Sequence, residues 1–68
     1  MKPHEERVVA EKADLDVKIA ALAAFMAGEV FAGLPEVERR ILALQHRYMA
    51  GYTGVLAMRI DASQAGVV

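Results

Sequence analysis

Along two stretches of the chain, apolar residues recur at the three- and four-residue steps of an α-helix. Both stretches carry more than one apolar stripe; in the first, Val8, Leu15, Ile19, Leu22 and Met26 supply a seam. Pro3 suits a helix's first turn, and Glu5 and Glu6 suit its positive end. Nothing interrupts the pattern until about Ala27, where Gly28 reads as a stop. The second stretch, about 34–60, shows its two stripes most clearly. Val37, Ile41, Leu44, Tyr48, Val55 and Met58 make the first. Leu42, Met49, Tyr52, Leu56 and Ile60 make the second, a quarter turn or more away. One partner helix can cover only one of these stripes. The other must meet further copies of the chain, or a ligand.

The connection, Glu29 to Leu34, is short enough to make the two helices antiparallel neighbours. Phe31 and Leu34 are placed to plug the closed end of the resulting hairpin. Gly33 reads as a possible N-cap of the second helix, with Pro35 in its first turn and Glu36 and Glu38 at its positive end. That helix should extend roughly 39 Å at about 1.5 Å per residue. Asp61 to Val68 lacks periodicity and reads as a flexible tail over residues 62–68, leaving one domain over 1–61. The expected fold is all-α: an antiparallel two-helix hairpin that assembles into a compact homo-oligomer. Gly51 and Gly54 fall inside the second helix, where each costs about 1 kcal/mol. They point to something approaching the backbone, another helix or a ligand. Ala20, Ala21, Ala23, Ala24 and Ala27 either supply helix propensity or allow a close approach of axes.

Size sharpens the case for assembly. A chain of 68 residues rarely draws more than a few kcal/mol from its own core, and commonly needs a disulfide, a metal or a partner. With no cysteine, disulfides and thiolate zinc sites are excluded, and oligomerisation remains. Hydrophobic residues make up 56% of the chain, which excludes a disordered protein. The net charge of -1 provides no overall field for DNA, so any anion site must be local. No apolar run reaches a membrane span, and Met1-Lys2-Pro3-His4-Glu5 does not begin a signal peptide. A cytoplasmic location is expected.

Catalytic chemistry has little to stand on. The hydroxyl candidates are Ser63, Thr53 and the two tyrosines, and no Ser-His-Asp or Cys-His arrangement is available. His4 and His46 lie on different helices and lack a second histidine at metal-pair spacing. His46, beside Arg47 on a mostly polar arc, reads as solvated. No enzyme activity, metal or cofactor is expected. Anion binding has more support. His4, Arg7, Glu11, Asp14 and Lys18 alternate at steps of three and four and share one stripe of the first helix. This stripe is either a solvated face, with Asp14 and Lys18 paired at i,i+4, or part of an anionic pocket. His4 and Lys18 are about 21 Å apart along the helix at 1.5 Å per residue, so a shared pocket would need Lys18 from one chain and the first turn of another. Arg59, near the end of the second helix, either complements the helix dipole or binds phosphate. Arg39 and Arg40 follow Glu36 at helical spacing and read as surface pairs.

Taken together, Pro3-His4-Glu5-Glu6-Arg7-Val8-Val9, Glu11-Lys12, Leu15-Asp16-Val17-Lys18-Ile19, Phe31, Leu34-Pro35, Tyr52, Leu56 and Arg59-Ile60 carry a resemblance. The chain resembles the small helical-hairpin domain of phage anti-CBASS proteins, which is shared with one class of phage anti-Thoeris proteins. The resemblance implies a sponge. Such proteins assemble as compact oligomers, typically hexamers, and bind cyclic oligonucleotide second messengers without cleaving them. It implies cyclic dinucleotides in pockets between subunits and cyclic trinucleotides in separate pockets near threefold axes. Lys18 matches the lysine on the dinucleotide phosphates, Pro3-His4 the turn that packs on the bases, and Arg59 the arginine on the trinucleotide phosphates. Some relatives place an aromatic in that first turn, where Pro3 and His4 stand here. The competing expectation is a structural or adaptor hairpin that binds a protein partner helix-in-groove, which asks nothing of Lys18 or Arg59.

Overall fold

The computed structural model describes residues 2–66 and is all-helical. α1 spans Pro3–Met26, α2 is a single turn over Glu29–Ala32, and α3 spans Glu36–Gln64. Pro3 opens α1 after an extended Lys2, whose carbonyl accepts from the N–H groups of Glu5 and Glu6 at 3.0 Å. A proline lacks an N–H that would otherwise be an orphan there. Ala27 caps the other end, and its N–H reaches the carbonyl of Ala23 at 3.2 Å.

The connection is more ordered than its composition suggested. Gly28 is extended, at φ -95°, and leads into α2 rather than closing α1 in a left-handed cap. Gly33 ends α2, and the extended Pro35 stands as the N-cap of α3. The proline ring explains the shift from the expected start near Leu34, because the residue before a proline is pushed out of helical conformation. Phe25 and Phe31 meet edge to face, ring centroids 6.2 Å apart, and close this end of the molecule together with half-buried Leu34.

α1 and α3 pack along one another in a rod 48 × 15 × 13 Å. Asp16 meets Thr53 and Glu11 meets Tyr52, while His4 lies across from Ser63, so the two long helices run in opposite directions. Both contribute a 3–4 seam. On α1 it is Glu5, Val8, Lys12, Leu15, Ile19, Leu22 and Met26; on α3 it is Arg39, Leu42, His46, Met49, Thr53, Leu56, Ile60 and Ser63, all buried or half-buried. Of the two α3 stripes, the second is therefore the one turned inward, apart from Tyr52, which stays exposed. Leu56 is fully buried and Val8 is 8% exposed. Val37, Ile41, Leu44, Tyr48, Val55 and Met58 stay exposed, Tyr48 by 70%.

Three local expectations are corrected here. α3 continues through Asp61-Ala62-Ser63 to Gln64 instead of fraying after Ile60. No breaker intervenes before Gly66, whose φ of 74° is the left-handed conformation that glycine adopts at little cost. Val67 and Val68 of the expected tail lie outside the described residues. His46 is half-buried at a seam position, not on a solvated arc. The i,i+4 pair on α1 is Lys12 with Asp16, at 2.7 Å, and not Asp14 with Lys18. Asp16 is the better partner because Thr53 of α3 holds the same carboxylate.

Candidate functional site

The open end of the helix pair forms a groove of about 370 Å³. α1 contributes His4 and Val8, one turn apart. α3 contributes Val55, Met58, Arg59, Ala62 and Ser63, whose steps of three, one, three and one keep them on adjoining rows of a helix. The continuation of α3 past Ile60 is what brings Ala62 and Ser63 into this wall. The walls are mainly apolar, from Val8, Val55, Met58 and Ala62. The polar groups are the Arg59 guanidinium, the His4 imidazole and the Ser63 hydroxyl. The His4 side chain is exposed, with Nε2 3.9 Å from a Glu5 carboxylate oxygen.

Beside the groove, polar contacts tie α3 to α1. The Tyr52 hydroxyl donates to the Glu11 carboxylate. That bond raises the phenol above its ordinary value of 10.0, desolvation adds to the rise, and the Arg59 charge opposes it. Arg59 is thus near enough to Tyr52 for its field to be felt. Farther along, Asp16 accepts from Lys12 Nζ and from the Thr53 hydroxyl. Those two bonds, Lys12 first, hold its carboxyl below the ordinary 3.8 against an opposing effect of desolvation.

The residues singled out in the sequence divide between two places. His4 and Arg59 come together in the groove, although fifty-five positions separate them. Pro3, next to His4, is exposed at the first position of α1. Arg7 and Lys18 are exposed on α1 outside the groove lining, and neither enters an ion pair among the described residues. Lys18 stays about 21 Å along the helix from His4 at 1.5 Å per residue. Ser63, Val55 and Met58 line the groove without having been foreseen there. Met58 and Val55 are members of a stripe legible in the sequence, whereas Ser63 lies in the stretch whose lack of periodicity reads as a tail. Arg40 pairs with Glu36 at 2.7 Å, whereas Arg39 is half-buried with its Nε unpartnered.

Among the described residues there is no group of three or more His, Asp or Glu placed to hold a metal ion. Nor is any helix long and apolar enough to cross a membrane. Neither a curated protein nor a solved structure matches the chain. A family model described as Sequestin matches residues 2–62, a span that holds all of α1, α3 as far as Ala62, and six of the seven groove residues. With nearly its whole length inside that match, the chain belongs to the Sequestin family.

Proposed function

We propose that this protein binds cyclic oligonucleotide second messengers and holds them uncleaved, so that a phage carrying it blocks activation of CBASS effectors in the host cytoplasm. The family name Sequestin fits a sequestering function, and the resemblance to anti-CBASS sponges supplies the ligand class. The observation that carries the reading is the groove, in which Arg59 and Ser63 stand over walls of Val8, Val55 and Met58. A guanidinium suits the phosphodiester oxygens and forms charge-assisted hydrogen bonds to them. Apolar walls suit the faces of the bases, which stack without demanding a sequence. Sequestration needs occupancy and abundance, not turnover.

In this reading Arg59 holds the phosphates of a cyclic trinucleotide such as cyclic tri-adenylate. Lys18, on the outer face of α1, holds those of a cyclic dinucleotide such as cyclic GMP-AMP, with Pro3 and His4 of another copy packing on a base and Arg7 adding positive charge beside that turn. The working particle is a homo-oligomer, a hexamer by the resemblance. Calorimetric titration tests the division of labour. Lys18→Ala should weaken cyclic-dinucleotide binding and spare the trinucleotide, and Arg59→Ala should do the reverse. Each loss should reach about tenfold or more, since a hydrogen bond to a charged group is worth about 1.5–3 kcal/mol. Unchanged binding in both variants would refute the assignment. The bare stripe of α3 also fits a second reading, a protein adaptor. A stoichiometric protein recovered with the chain from lysate, with no heat from either nucleotide, would favour it.

A further inference from the structure

The exposed stripe of α3 has the same repeat as the seam that α3 uses against α1. Val37, Ile41, Leu44, Tyr48, Gly51, Val55 and Met58 follow one another at steps of four and three, the spacing of positions that face another helix. No charged residue interrupts it. Gly51 sits near its middle, with Gly54 at the next step of three. A side-chain carbon placed on either glycine would meet nothing within 4 Å. Nothing inside the protomer therefore uses the bare backbone that these glycines provide at a cost to helix stability. Contiguous apolar surface of this kind marks an interaction site.

We infer that a second copy of this chain packs antiparallel along this stripe, with the two α3 helices crossing at Gly51. The inference rests on the self-assembly contained in the proposed function and names the face and the register. Three features select a second copy as the occupant. The stripe extends to both sides of Gly51, so it can face itself about a twofold axis, as an isologous interface requires. In an antiparallel pair, positions equidistant from Gly51 meet, which brings Leu44 of one copy to Met58 of the other and Tyr48 close to Val55. On the same edge of the stripe, Arg40 lies eleven residues before Gly51 and Asp61 ten after it, so opposite charges come together across the axis. A protomer whose buried side chains are Val8 and Leu56 is also short of core, and a second copy supplies it. Val55 and Met58 belong both to the stripe and to the groove wall. The second copy therefore lays its Leu44 and Tyr48 along the rim of the groove, and the binding site is completed by assembly.

The absence of cysteine permits a direct test. Helices usually pack about 8–10 Å apart, whereas a disulfide needs Cα atoms about 4.4–6.8 Å apart, a separation that a glycine crossing on a twofold axis allows. Under mild oxidation Gly51→Cys should form a covalent dimer at least about tenfold faster than Ala50→Cys, given the high effective concentration inside an assembly. Ala50 is exposed on the same turn but about 100° around the helix. In parallel, Gly51→Leu should keep its helical circular dichroism, since the added side chain has open space in the protomer, and should lose mass in sedimentation. Equal cross-linking rates for the two cysteine variants, in a protein that sediments as an oligomer, would overturn this face while leaving assembly intact. A wild-type chain that sediments at the monomer's 7.4 kDa would overturn both. Nucleotide titration is read separately, so a failure of the ligand assignment is distinguishable from either.

Discussion

Single residues divide the labour between holding the helix pair together and meeting a ligand. Leu56 holds the pair: it is fully buried in the α3 seam, and Leu56→Ala should cost about 2–5 kcal/mol. Since a domain of this size has only a few kcal/mol of its own, thermal denaturation of that variant should show little or no cooperative transition. The polar contacts set a pH window. Asp16 has its pKa lowered by Lys12 and Thr53, so its contribution is present above 3.8 and is lost as pH falls through the depressed value. Tyr52 has its pKa raised by Glu11, so its contribution is present below 10.0 and is lost as pH rises through the elevated value. Helical signal and melting temperature should therefore hold a plateau between about pH 4 and pH 10 and fall on both sides. A Lys12→Met, Tyr52→Phe double variant whose profile kept both edges unchanged would contradict these assignments.

At the scale of elements, much was legible in the sequence because helix periodicity depends on local spacing. The seam of α1 could be read residue by residue, and Val8, Leu15, Ile19, Leu22 and Met26 are all buried or half-buried. On α3 the two stripes were visible, but which one turns inward was not. The inward seam includes Arg39, His46, Thr53 and Ser63, which hydrophobic patterning assigns to solvent. Thr53 can sit there only because Asp16 of α1 meets its hydroxyl, a contact between residues far apart in the chain. The end of α3 was missed for a related reason. Asp61-Ala62-Ser63-Gln64 has no apolar period, and its helix is carried by the absence of a breaker before Gly66 and by half-burial of Ala62 and Ser63. The groove follows from that extra turn. Its cation, Arg59, and its first-turn residue, His4, were both identifiable from sequence, but their proximity was not, because it depends on the register between the helices.

At the scale of the whole molecule, a thin rod with a bare stripe and a groove at one end is half of a structure. The stripe asks for another helix and the groove asks for an anion with apolar surroundings. The self-assembling sponge proposed above would answer both with one chain. In the proposed reading Lys18 and Arg59 meet phosphate through charge-assisted bonds, so affinity should fall as salt rises from about 0.05 to 0.5 M, while the proposed apolar assembly should persist in sedimentation at the same salt. The central claim is that cyclic oligonucleotides are held and returned intact. Its most direct test is calorimetric titration of the purified protein with cyclic GMP-AMP and cyclic tri-adenylate, followed by denaturation and chromatography of the recovered nucleotide. The account predicts tight saturable binding of at least one of them, with the nucleotide recovered uncleaved. No heat from either in a folded, helical protein, or recovery of linear products, would contradict it.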